Sequence, residues 1–122
     1  MSERETRAWH FYVEDISRFA EKALEYVRGM DQRAFVSNEL VYDAVLRNIE
    51  LIGEAATHVP DSARVAHPSV PWRQLIAMRN HLIHGYLGLD NDTLWSILED
   101  DLPLLLLQLR ELLGEIQGSP DR

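Results

Sequence analysis

Residues 79–86 read Arg-Asn-His-Leu-Ile-His-Gly-Tyr and concentrate an arginine, two histidines and a tyrosine in one short stretch. The stretch follows a helix-start signal at Pro71, because proline is favoured in the first turn of a helix. It reaches Gly85, and glycine favours the end of a helix. The pattern therefore predicts a helix that begins near Pro71 and ends at a cluster of ionisable side chains.

The spacing within this stretch constrains which side chains can meet. On a straight helix, residues seven apart return to one face, and residues five apart lie about 140° apart. Arg79 and Tyr86 would then share a face, and His84 would point away from both. Because Gly85 disfavours a straight continuation, we expect His84 in the last turn and Tyr86 just beyond the helix.

The composition is typical of a soluble globular protein, with 46% hydrophobic and 26% charged residues. We expect one domain over residues 1–122, with a core at about 5–116 and a frayed tail at 117–122. No cysteine is present, which excludes disulfides and thiolate metal sites. The charged start at 1–5 lacks an apolar signal core, and the longest apolar run, 104–107, is too short to span a membrane. A cytoplasmic protein without membrane contact is expected.

The net charge of −8 limits the partners that the chain can bind. Broad binding along a nucleic-acid backbone relies on many lysines and arginines, and this balance argues against it. A small site with local positive charge remains compatible with the sequence. The acidic surface also suits docking onto a basic protein partner.

Four segments show the three-and-four spacing of apolar residues that is typical of amphipathic helices. They span residues 5–28, 38–58, 71–85 and 92–116. No segment combines alternation with β-branched residues in the manner of a strand. The predicted fold class is therefore all-α, an up-and-down bundle of four main helices with short extra helical turns.

Local signals add detail to this bundle. Asp31 is expected to cap a short helical turn, and Asn38 or Ser37 is expected to cap the second predicted helix. Phe35 and Val36 are expected in the core. Pro103 predicts a kink or local break in the last helix, because proline lacks an N–H donor and clashes with the preceding turn. The leucine stripe of that helix is wider than one neighbour needs, which indicates either a dimer surface or a broad internal core.

Two polar residues, Asn48 and Glu54, lie close to the apolar face of the second predicted helix. They could support the site across the bundle, or they could simply be solvated. We favour solvation for both, because most polar residues at the edge of an apolar stripe face water.

Three interpretations of the central stretch compete. In the catalytic one, Arg79 binds a phosphate and His84 moves protons, which suffices for RNA cleavage by the ribose 2′-hydroxyl without a metal. In the second, His81 and His84 bind a metal with Asp90 or Asp92, a weak signal without a clear third ligand. In the third, the same side chains are structural, with Arg79 paired to a carboxylate and the histidine at a helix end.

The order of several short patterns resembles the HepT-like toxins of the HEPN superfamily. Arg79, His84 and Tyr86 match the R-x4-H-x-Y motif of that family, and the similarity covers roughly residues 9–116. The flanking patterns that carry it are Ala44-Val45-Leu46-Arg47-Asn48, Ile52-Gly53-Glu54-Ala55-Ala56, Pro71-Trp72-Arg73, Met78-Arg79-Asn80, Trp95 and Asp101-Leu102-Pro103.

This resemblance implies an all-α homodimer in which the motifs of two protomers meet in a cleft. It implies a metal-independent endoribonuclease that acts as the toxin of a toxin–antitoxin pair, with RNA as substrate and no cofactor of its own. By this resemblance Arg79 and His84 are catalytic, Asn80 is the supporting polar residue after the motif arginine, and no metal is bound.

The resemblance also implies a partner, a MntA-like nucleotidyltransferase antitoxin. That partner uses ATP and magnesium to transfer AMP onto the motif tyrosine, here Tyr86. An attached AMP would place an anionic phosphate beside Arg79 and block RNA by bulk and charge. The alternative is a non-catalytic helical binding module that engages a nucleotidyltransferase or a nucleotide through the same cleft.

Overall fold

The structure, a computed structural model, describes residues 3–84 and 90–117, which form helices joined by short connections. The helices are α1 (Glu3–Tyr26), α2 (Gln32–Ser37), α3 (Glu39–Thr57), α4 (Asp61–Ala66), α5 (Trp72–His84), α6 (Asn91–Ser96) and α7 (Leu102–Gln117), with a π-helical segment at Ile97–Asp101. The predicted all-α class is confirmed. Within these ranges, no helix is both long enough and apolar enough to cross a lipid bilayer.

Helix α3 is the centre of the bundle. It packs against α1 on one side and α5 on the other, and α1 also packs against α7. The apolar stripes predicted from the three-and-four spacing form the shared core, because each stripe faces a neighbouring helix. The largest fully buried side chains include Val13, Ile16, Phe35, Val45, Ile49, Ile52, Leu94, Leu102, Leu105 and Leu109.

The short helix α2 and the start of α3 follow the predicted caps. The Asp31 carboxylate accepts a hydrogen bond from the backbone N–H of Ala34 at 2.8 Å, and Asn38 caps α3 in the same way. Phe35 is fully buried, as predicted, and stacks on Tyr42. The prediction for Val36 is wrong, because successive helical residues lie about 100° apart and this side chain is left 36% exposed beside the buried one.

The break predicted at Pro103 is confirmed, and it takes the form of a π-helical turn. The backbone N–H of Leu102 bonds to the carbonyl of Ile97, five residues back rather than four. This wider turn immediately precedes Pro103, whose nitrogen has no hydrogen to donate and whose ring crowds the preceding turn. The helical path from α6 to α7 therefore continues with locally altered hydrogen bonding.

The close contact between α3 and α5 depends on Gly53. A Cβ atom at Gly53 would lie 2.1 Å from the Cβ of Arg79 and 2.7 Å from the carbonyl oxygen of Leu75. Both atoms belong to the body of α5 and not to the tip of a flexible side chain. Only glycine therefore allows α5 to lie at this distance from α3.

We expect Gly53→Ala to destabilise the protein by about 1–3 kcal/mol, because the added methyl group forces α3 and α5 apart. Gly114→Ala is a matched control on α7, where an added Cβ would meet no atom within 4 Å. That control should gain about 0.4–1 kcal/mol from reduced chain entropy in the unfolded state. Urea unfolding of both variants measures the difference, and equal stabilities would contradict the close packing.

Candidate active site

Arg79 lies on α5 at the close contact, and its guanidinium group is held from two sides. Its Nη2 lies 2.8 Å from Oε2 of Glu54 on α3, and its Nη1 donates a 3.0 Å hydrogen bond to Oδ1 of Asn80. The Arg79 side chain is 28% exposed. Its Nε is buried and has no hydrogen-bond partner among the described residues. The group is thus anchored, and because each Nη carries two N–H groups and makes one of these contacts, a second N–H on each Nη is left for a ligand.

Glu54 has a second partner on its own helix. Its Oε1 lies 3.5 Å from Nε2 of His58, one turn further along α3. The His58 ring stacks on Tyr12 of α1, with centroids 4.7 Å apart and planes inclined by 18°. The chain of contacts from Arg79 through Glu54 and His58 to Tyr12 therefore ties together α5, α3 and α1.

The solvation expected for Asn48 is wrong. Asn48 is only 4% exposed, and its Nδ2 donates a 2.8 Å hydrogen bond to the carbonyl of Ala44. Its Oδ1 is buried without a hydrogen-bond partner among the described residues. Polar residues at the edge of an apolar stripe usually face water. Asn48 is buried instead, because α3 is covered by helices on both sides.

The prediction that Glu54 is solvated is only partly correct. Its side chain is 47% exposed, yet its carboxylate contacts both a guanidinium and an imidazole group. The other alternative, in which Glu54 supports the site from across the bundle, describes this residue better. The contact arises because Glu54 follows Gly53, where the two helices come closest.

The other predicted site residues are placed only in part. Asn80 and His81 are exposed on α5. The described backbone of α5 reaches His84, whose side chain lies outside the described residues. Tyr86 and Gly85 also lie outside them, so the expected position of the tyrosine beyond the helix end stays a prediction.

The two carboxylates named as possible metal ligands, Asp90 and Asp92, accept hydrogen bonds from other residues. Asp90 caps α6, accepting hydrogen bonds from the backbone N–H and the hydroxyl of Thr93, and these bonds hold the pKa of Asp90 below its usual value. Asp92 accepts a 2.6 Å hydrogen bond from Gln32. Among the described residues, no group of three metal-ligating side chains is close enough to hold an ion.

Sequence reasoning missed Tyr12 and His58 and gave Gly53 no structural role. Two signals could have revealed His58 and Gly53. Glu54 and His58 are four residues apart and therefore share a helix face. A glycine in the middle of an apolar helix weakens it, and such a residue usually marks a close packing contact.

The described helices form an all-α bundle in which Arg79 of α5 is anchored by Glu54 of α3. A family model described as ribonuclease HepT-like matches residues 16–112. The chain therefore belongs to the HepT-like ribonucleases of the HEPN superfamily, and endoribonuclease is the enzyme class that this membership assigns. The resemblance seen in the sequence motifs is confirmed.

Several curated proteins are similar over most of their length. A predicted ribonuclease of Methanocaldococcus jannaschii is 36% identical over 84% of this chain and 92% of its own length. A predicted ribonuclease HepT of Thermococcus cleftensis is 37% identical over 77% of this chain and 86% of its own. A predicted ribonuclease of Caldanaerobacter subterraneus is 34% identical over 84% of this chain and 91% of its own. No solved structure matches the chain significantly.

Proposed function

We propose that this protein cuts RNA without a metal ion, with Arg79 as the phosphate-binding group and His84 as the proton-transferring group. The observation that carries the proposal is the guanidinium of Arg79, which is anchored through its two Nη atoms at 2.8 Å and 3.0 Å while its side chain stays 28% exposed. An arginine fixed in this way presents its donors in a set geometry to a phosphate oxygen.

The proposed reaction is an internal transfer at phosphorus. The ribose 2′-oxygen attacks the adjacent phosphorus atom while a base removes its proton, and the bond from phosphorus to the 5′-oxygen breaks as that oxygen gains a proton. His84 takes or gives one of these protons. Arg79 binds the non-bridging oxygens and stabilises the charge that builds up on them. The products carry a 2′,3′-cyclic phosphate and a 5′-hydroxyl group.

Arg79→Ala should lower kcat for RNA cleavage by about 100- to 1,000-fold, as loss of a preorganised donor to a developing charge does. His84→Ala should lower it by a factor of about 100 to 10,000, the contribution of general acid–base catalysis. Arg110→Ala is the matched control, because it removes the same charge from an exposed position on α7. A gel assay of a labelled RNA measures all three.

Unchanged cleavage by both site variants would remove these roles from Arg79 and His84. If the wild-type chain itself cut no RNA, the alternative of a non-catalytic binding module would replace the proposal.

A homodimer would complete this site, because one protomer supplies one Arg79–His84 pair whereas the reaction uses both a base and an acid. We propose that the dimer forms through α5 and the α6–α7 arm. Leu104 and Leu107 on α7 support this, since they are 54% and 59% exposed. Leu104 also lines a groove of about 190 Å³ between α7 and α5, next to Met78, the residue before Arg79.

Leu104→Glu combined with Leu107→Glu should convert the dimer to a monomer, because four buried carboxylates would face each other across a two-fold axis. Light scattering coupled to gel filtration measures the mass. Leu40→Glu is the control, since Leu40 on α3 is 81% exposed and does not line this groove. A wild-type monomer, or a double variant that stays dimeric, would contradict this interface.

We further propose that the chain is the cytoplasmic toxin of a toxin–antitoxin pair, and that its antitoxin is a MntA-like nucleotidyltransferase. In this proposal the partner uses ATP and magnesium to attach AMP to Tyr86, through a bond from the tyrosine oxygen to the α-phosphorus with release of pyrophosphate. The net charge of −8 is compatible with docking to a basic partner. The attached phosphate would compete with RNA for Arg79.

Co-expression with such a nucleotidyltransferase should raise the intact mass in AMP-sized steps, and Tyr86→Phe should abolish the increase. Tyr26→Phe, on α1, should be modified like the wild type. Mass spectrometry of the three proteins decides the point. Mass steps that persist in Tyr86→Phe would place the acceptor elsewhere, and no steps with an active partner would favour inhibition by simple occlusion.

A further inference from the structure

We propose that Glu54 is a positioning residue for the cleavage reaction, which it serves by fixing the orientation of the Arg79 guanidinium. This inference rests on the proposed function, because it concerns the same site. It adds a residue from a different helix to the machinery and says what that residue does there.

The geometry shows Glu54 as the only described carboxylate in contact with Arg79. Oε2 of Glu54 lies 2.8 Å from Nη2, which is a short charge-assisted contact. The neighbouring Asn80 holds Nη1 at 3.0 Å. Two contacts to different nitrogens fix both the position and the rotation of a planar guanidinium.

Glu54 is itself held in place. Its other oxygen, Oε1, lies 3.5 Å from Nε2 of His58, and the His58 ring is stacked on Tyr12. A carboxylate with one partner on a half-exposed surface samples several rotamers, whereas one bound at both oxygens is restricted. The orientation of Arg79 is therefore set by α3 and, through His58, by α1.

The contact at Gly53 makes this arrangement more rigid than an ordinary surface ion pair. The Arg79 Cβ lies against the backbone of α3, so the stem of the side chain begins from a fixed point. An exposed ion pair between long side chains contributes little, because both chains must be immobilised first. Here the packing of α5 on α3 has already immobilised one of them.

The functional consequence concerns rate more than affinity. Glu54 reduces the net positive charge near Arg79, so it does not strengthen RNA binding. Its contribution is to keep the free N–H groups of Arg79 aimed at one place, where the reacting phosphate can meet them. Misplacing such a group by about 1 Å can cost about 100-fold in rate.

The test compares Glu54→Ala, Glu54→Gln and Glu50→Ala in protein expressed without a nucleotidyltransferase. Glu50 is the matched control, since it is on the same helix and pairs with Arg47 at 3.0 Å. Glu54→Ala should lower kcat by about 10- to 100-fold with little change in KM. Glu54→Gln keeps an oxygen that accepts from Nη2 and should recover most of that loss, and Glu50→Ala should match the wild type.

A second readout reports on the orientation of Arg79 without RNA. In nitrogen-edited proton NMR, the Nη–H signals of Arg79, assigned with Arg79→Lys, should be separate in the wild type because rotation of the guanidinium is restricted. They should merge in Glu54→Ala and remain separate in Glu50→Ala. A Glu54→Ala spectrum identical to that of the wild type would overturn the inference whatever the RNA assay shows.

The two proposals fail in different ways. In one case the wild type cuts RNA and Arg79→Ala does not, yet Glu54→Ala keeps full kcat or has a lower KM. Only the positioning role of Glu54 is then wrong. A lower KM in Glu54→Ala would mean that Glu54 competes with the RNA phosphate for Arg79. If the wild type cuts no RNA, the proposed function and the catalytic role of Glu54 fail together, while the NMR result still decides whether Glu54 orients Arg79.

Discussion

At Gly53 the backbone of α3 comes so close to α5 that the Cβ of Arg79 and the carbonyl of Leu75 occupy the space that a side chain would need. The features of the site follow from this contact. It places the stem of Arg79 on α3, and it brings Glu54, the next residue, within 2.8 Å of the guanidinium. A site built on two packed helices is more rigid than one built on loops, and that rigidity is what an orienting role requires.

A rigid site matters in this chain because its acidic composition limits what general electrostatic attraction can contribute. With a net charge of −8 and a carboxylate beside its central arginine, the protein is poorly suited to attract RNA through general electrostatics. A long series of contacts with RNA phosphates would need many more lysines and arginines. An enzyme with this composition would have to obtain its rate from a few well-oriented groups at the reacting phosphate, and this is the role proposed for Arg79.

Sequence patterns were sufficient for most of the fold. The three-and-four spacing located the main helices, Asp31 and Asn38 act as the expected caps, and Pro103 sits beside the expected break. These features are local, because each depends on residues within one or two turns. Val36 was misplaced, since nothing in a six-residue helix says which of two adjacent apolar residues faces inward.

The site was predictable only in part, for a similar reason. Arg79 stood out through its neighbours in sequence, but its partner Glu54 is on another helix, and the bond between them depends on how close two helices approach. Asn48 was expected to be solvated because helix spacing alone does not show that α3 is covered on both sides. The contribution of His58 and Tyr12 likewise required the packing of α1 on α3.

The central proposal is that the chain cuts RNA by transfer to the ribose 2′-oxygen, with protein side chains and no metal ion. The most direct measurement is cleavage, in the presence of a chelator, of an RNA oligonucleotide and of a matched one carrying a single 2′-deoxyribose at the mapped site. We predict that the first is cut to a 2′,3′-cyclic phosphate and that the second is left intact at that position. Cleavage at the deoxyribose, or activity that the chelator abolishes, would contradict the account.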